Sequence, residues 1–236
     1  MLLLAAVLLL CSCAARYDYQ NGIALRLKEI KGDKYSAEVW VEVAFEDRSR
    51  PMRIEADRLG TSFPFPEHKT QQSLIPMVDG PENVGLIKHE IHDIKSINNQ
   101  EYNFVAENIS AEDKTYSGRW ELPFTIKNDE TSVYYTAVPK AEDKNQITFT
   151  VIEVCPYTLH FEATQPASMY KEQGDAEREV LFSNGEKRKG SGSSEHREVN
   201  ESTLNSTVNI RFGSEVDAGA VSGLMIDGVE YILTKV

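Results

Sequence analysis

Between Gly118 and Ala163 the apolar residues recur at every second position in three successive runs. Trp120, Leu122, Phe124 and Ile126 alternate with polar or turn residues, as do Ile147, Phe149 and Val151, and then Tyr157, Leu159, Phe161 and Ala163. A strand sends successive side chains to opposite faces, so each run buries one face and wets the other. The first run closes one β-module and the second opens another, with the polar stretch Lys127 to Lys144 between them as a connector. The chain is therefore expected to be all-β, in two modules.

The remaining sequence follows the same pattern. After a tether from Ala14 to Gln20, Ile23, Leu25 and Leu27 alternate with polar residues, Lys31-Gly32-Asp33 turns the chain, and Val39, Val41, Val43 and Phe45 share the next buried face. Pro64 and Pro66 flank Phe65 and argue against a central strand there, because proline cannot donate to a ladder. Glu67 to Asn83 reads as the longest loop of the first half, and Val84 to Ile94 and Glu101 to Ala106 as further strands. In the second half Glu179 to Ser183 leads into Asn184-Gly185, a dipeptide typical of the type I′ hairpin turn. Lys187 to Ser202, rich in Gly, Ser and charge, reads as a mobile loop, and the chain ends on a hairpin turning at Asp227-Gly228. Ile23 to Ile30 and Ile147 to Val154 match in apolar spacing and in the Glu before the last residue, which suggests a weak internal repeat. Many short strands separated by turn signals read as β-sandwiches.

Composition narrows the partners. At 236 residues the chain is long enough for two small cores. A formal net charge of -12 disfavours nucleic acid, which requires Lys and Arg gathered on one surface. The basic triplet Lys187-Arg188-Lys189 lies beside Gly190-Ser-Gly-Ser-Ser and reads as a solvated loop. Met1 to Leu10 is almost wholly aliphatic, too short for a membrane span but suited to a signal-peptide core. The next residues, Leu10-Cys11-Ser12-Cys13, resemble the bacterial lipobox, which makes Cys13 the residue that is cleaved before and lipid-modified. No Lys or Arg precedes the apolar run. With cleavage there, Cys155 is left as the other thiol, so no internal disulfide forms and Cys155 reads as a buried structural thiol.

With Gly118-Arg-Trp-Glu-Leu-Pro-Phe, Ile147 to Val154, Cys155-Pro156 and Asp227-Gly-Val-Glu-Tyr-Ile-Leu233 taken together, residues 20 to 236 resemble the paired immunoglobulin-like extracytoplasmic domains of unassigned function in Gram-positive bacterial lipoproteins and anti-sigma-factor-like membrane proteins. Leu122 and Cys155 stand where that group more often has Phe and Ser. The resemblance implies two consecutive immunoglobulin-like β-sandwich domains after a lipoprotein-type signal: residues 1–19 signal, lipobox and tether, residues 20–127 the first domain, residues 128–236 the second. It implies no catalytic residue and no cofactor.

His89-Glu90-Ile91-His92-Asp93 is the one metal-like cluster. A zincin places its histidines at i and i+4 of a helix, whereas i and i+3 on a strand sends the imidazoles to opposite faces, so no metal site is assigned. The carboxylate pairs Glu46-Asp47 and Glu112-Asp113 fall in charged turns, and no Gly-x-Ser-x-Gly elbow or phosphate loop occurs. The function expected is a non-enzymatic, extracytoplasmic binding or sensing module, anchored to the cell membrane through a lipid on Cys13, with a protein or cell-envelope ligand. The alternatives are an envelope-stress regulatory partner of the anti-sigma kind and a metal-dependent hydrolase using His89 and His92.

Overall fold

The computed structural model describes residues 17–46, 54–62, 69–75, 84–93, 95–111, 114–128, 131–168 and 177–236, and these form an all-β chain. The lipobox and Cys13 lie outside the described residues, as does the Glu112-Asp113 pair. Two compact units emerge. The first is built from the described parts of Met1–Ile30, Glu38–Ile91 and Asn99–Ile126, and the second from those of Lys31–Ala37, His92–Asn98 and Lys127–Val236.

Unit 1 pairs two sheets. One runs in the order β1 (Tyr17–Gln20), β2 (Ile23–Gly32), β3 (Ser36–Phe45), β6 (Val84–His92) and β5 (Lys69–Ile75). The other is β4 (Ile54–Ser62), β7 (Glu101–Ala111) and β8 (Lys114–Thr125). β1 extends into what the sequence suggests is a tether. Its signal is Asn21-Gly22, whose φ values of +51° and +81° make the type I′ turn that sets Gln20 opposite Ile23. β5 likewise lies inside the stretch read as the longest loop.

The inward faces of the two sheets are those the alternation marked. Val39, Val41 and Val43 are fully buried, and Tyr102, Phe104 and Ala106 stand opposite Phe124, Leu122 and Trp120. The Trp120 indole donates to the Ile23 carbonyl at 3.2 Å, which ties β8 to β2 across the core. Its ring folds back over Gly118, where a Cβ would come within 3.0 Å of it. The Gly-x-Trp spacing is thus a packing requirement.

Unit 2 carries a single ladder of nine strands: β13 (Lys187–Lys189), β12 (Arg178–Phe182), β16 (Val221–Ile226), β17 (Val229–Lys235), β9 (Val133–Pro139), β10 (Thr148–Val154), β11 (Thr158–Pro166), β15 (Thr203–Arg211) and β14 (Ser191–Asn200). β9 falls within the expected connector, and it closes the unit. Its residues 135–139 pair with β17, and Tyr134 and Val133 pair with Glu153 and Val154 of β10. One strand therefore serves both halves of the ladder, which fold face to face as a sandwich. Phe149 meets Phe161 from its own half at 5.4 Å and Tyr231 from the other at 5.1 Å. Leu159, Val154, Val180 and Leu224, all with no exposed area, complete the core.

The stretch read as a mobile loop, Lys187 to Ser202, is β13 and β14. Its polar residues satisfy an edge position, where one strand face and one ladder edge need no burial. The turn at Asn184-Gly185 also differs from the expected I′ form. Only Gly185 has positive φ, +85°, and its amide donates to the Phe182 carbonyl while Phe182 pairs with Glu186. That is a type I turn followed by a glycine bulge. Asp227-Gly228, at +48° and +77°, does form the I′ turn between β16 and β17.

Candidate functional site

Alternation leaves the outward positions of β10, β11 and β15 free for polar side chains, and at one level of the sheet these make a row. Register sets Tyr134 beside Glu153, Glu153 beside His160, His160 beside Asn209 and Asn209 beside Ser193. Glu153, His160 and Asn209 are nevertheless buried, at 2%, 5% and 1% exposure. The segments 31–37 and 92–98 of the same unit cover them.

Glu153, His160 and Asn209 each contact the covering segments. The Tyr35 hydroxyl donates to Glu153 at 2.8 Å, and Lys34 Nζ lies 2.5 Å from the same carboxylate. Burial pushes the Glu153 pKa upward, but bonds from Lys34, Ser132 and Tyr35 outweigh it and hold the group below its ordinary value. The Tyr35 ring stacks on His160 with centroids 4.5 Å apart. Asn209 donates its amide to the Asp93 carbonyl, so its oxygen faces His160 Nδ1 at 2.7 Å and assigns the ring proton to that nitrogen.

Asp33 anchors the other end of the cover. Fully buried, it accepts from the amides of Tyr35 (2.9 Å), Ser36 (3.0 Å) and Tyr157 (2.9 Å) and from the Thr158 hydroxyl (3.3 Å). Burial raises its pKa, and these neutral donors offset only part of that. Asn128 spans the turn, donating to the carbonyls of Asp33 (2.8 Å) and Ser36 (3.2 Å). Gly32 is required beside it: a Cβ would fall 2.0 Å from the Ser36 oxygen, and φ is +152°. The arrangement acts chemically as an anchor, in which buried acceptors meet the donors of the covering segments.

A second feature lies on the opposite half of the unit. Leu181, Gly223, Ile232 and Val138 are register neighbours across β12, β16, β17 and β9. Ile232 is 42% exposed and Val138 57%, while Leu181 lies over Gly223, its Cδ1 3.0 Å from where a Cβ would be. This is an apolar stripe on an outward face.

The fold is shared with a solved protein. The crystal structure of a conserved domain protein from Bacillus anthracis superposes with a TM-score of 0.54 over 93% of this chain and 88% of that one, at 13% identity. No protein-family model and no curated protein matches the sequence. The likeness is one of fold.

The residues weighed from sequence are placed as follows. His89 points into the core of unit 1 and His92 to the other face of β6, and among the described residues no three His, Cys, Asp or Glu side chains gather as a metal group. Cys155 is buried and forms no disulfide. In the basic triplet Arg188 pairs with Glu186 at 2.6 Å and Lys189 with Glu177. Among the described residues no helix is long and apolar enough to cross a membrane. Sequence reasoning missed the Asp33, Tyr35, Glu153, His160 and Asn209 network. Its trace was Glu153 within Val-Ile-Glu-Val and His160 within Leu-His-Phe, polar residues set in otherwise apolar strands.

Proposed function

We propose that the chain is an extracytoplasmic module, anchored to the cell membrane by a lipid on Cys13, that binds or senses a protein or cell-envelope ligand without catalysing a reaction. The observation that carries this reading is the start of the sequence, an aliphatic run from Met1 to Leu10 followed by Cys11-Ser12-Cys13 ahead of an all-β body. Two acyl chains on one cysteine hold a protein on a bilayer where a single chain binds only marginally. Sandwich-like units suit the role, because their rigid ladders present loops and outward faces at fixed positions. The stripe of Leu181, Ile232 and Val138 supports a binding face, since exposed apolar patches mark interaction surfaces. The net charge of -12 speaks for a ligand other than nucleic acid.

Metabolic labelling with a fatty-acid analogue in a bacterial host tests the anchor. The wild-type chain takes up label and fractionates with membranes, and Cys13→Ala loses both. Unchanged labelling and membrane retention in Cys13→Ala overturn the reading.

A further inference from the structure

The outward face of β12, β16, β17 and β9 in unit 2 has a relief and a charge pattern. Val138 and Ile232 stand out from it, while their strand neighbours Ala137, Tyr231 and Leu233 pack in the core. Leu181 instead lies down over Gly223, where a Cβ would meet its Cδ1 at 3.0 Å. The face is therefore raised on β17 and β9 and low on β12 and β16. One row along, Glu179, Met225 and Glu230 are register neighbours. Lys140 joins that row, its amide donating to the Glu230 carbonyl and its Nζ lying 3.0 Å from the Glu230 carboxylate. Glu179 has Lys189 3.9 Å away. On the other side of the stripe Thr234 stands opposite Thr136.

We propose that two copies of the chain dock through this face, sheet on sheet, about a two-fold axis that runs along the strands between β16 and β17. The proposal names an occupant for the stripe offered above as a binding face, and it rests on that part of the reading alone. Such an axis lays β16 on β17 of the second copy and β12 on its β9, with each row over its own counterpart. Raised then meets low, as Ile232 settles on Gly223 and its covering Leu181, and Val138 on Leu181. The charges agree as well. Glu179 comes to face Lys140 of the second copy, twice by symmetry, whereas an axis across the strands would set the glutamates over the threonines. Four strands about 4.8 Å apart and three outward rows about 6.8 Å apart make a face of roughly 400 Å² per copy. That is below the standard interface, so the dimer is a weak one.

The test uses full chains carrying both Leu181→Cys and Val138→Cys. Within one chain these positions are three strand spacings apart, about 14 Å, which is too far for a disulfide, whereas in the dimer they meet. Mild oxidation should link two copies well above the wild-type level. Val138→Cys alone should not, because the axis holds the two copies of that residue apart. Adding Glu179→Lys should cut the link several-fold, and adding Lys140→Glu to that should restore it. In the wild-type chain the methyl resonances of Val138 and Ile232 should shift between about 10 µM and 1 mM protein, while those of Val199, exposed on β14, should not. Linking no greater than wild type, equal linking by Val138→Cys alone, a charge swap that fails to restore the link, or Val138 and Ile232 methyls that ignore concentration would overturn the proposal. So would a shift shared by Val199, which marks unspecific association. A stripe occupied by another protein leaves the chain monomeric and overturns the dimer, while labelling of Cys13→Ala still decides the anchor on its own.

Discussion

Tyr35 lies flat against His160, with ring planes 8° apart and centroids separated by 4.5 Å, although 125 positions of sequence divide them. The same tyrosine reaches Glu153 with its hydroxyl, so one side chain holds two neighbours of the polar row at once. Aromatic stacking supplies area and the hydroxyl supplies direction. The two contributions separate by mutation.

Tyr35→Phe keeps the stack and removes one donor from a buried carboxylate. A hydrogen bond to a charged group is worth about 1.5–3 kcal/mol, so unit 2 should lose about that much. Tyr35→Ala removes the stack as well and should cost more. Amide exchange of β11 and β15 under increasing urea measures both, and equal losses in the two variants would show that the hydroxyl carries the whole contact.

Glu153 is held below its ordinary pKa of 4.5, so its stabilisation is complete above that value and drains away as the pH falls through the lower, folded value. Glu153→Gln leaves Lys34 without its carboxylate and should destabilise unit 2 at pH 7. The variant's stability should then change less than that of wild type below pH 4.5. Paired urea titrations at pH 7 and pH 3 make the comparison, and parallel acid losses in the two proteins would remove Glu153 from the account.

Trp120→Ala empties the centre of unit 1 and breaks the bond to the Ile23 carbonyl. Removal of a buried large aromatic costs about 3–5 kcal/mol in transfer energy and cavity formation. Trp40 remains as an emission probe in the same unit. Its transition should move to much lower urea, and an unmoved transition would place the indole outside the core.

Gly32→Ala drives a methyl group into the Ser36 carbonyl. Overpacking of this kind costs about 1–3 kcal/mol, occasionally more, and here backbone must shift because no flexible side chain can give way. Exchange at the Tyr35 and Ser36 amides, which bond Asp33, should rise first. Unchanged protection there would mean that the turn tolerates the methyl group.

The strands whose buried faces are continuous were legible one residue at a time. Val39 to Phe45, Trp120 to Ile126 and Leu159 to Ala163 bury the alternate residues that their spacing marks, because a pleated strand has a period of two whatever it packs against. Asp227-Gly228 was equally legible, since the I′ turn depends on two local φ values. β9, β13 and β14 were not. β13 and β14 are polar runs at the two edges of the sheet order, β9 sits in a stretch flanked by polar sequence, and the order of all three comes from their strand partners, which for β9 lie far away in sequence, as with Lys235 opposite Tyr135. The polar network escaped for the same reason. Asp33, Glu153, His160 and Asn209 look solvated when read locally, and only the return of segments 31–37 and 92–98 over the sheet buries them. Alternation thus states which face of a strand is buried by its own sheet. A second layer laid over the other face brings together residues that no local period relates, and the tertiary structure alone decides that.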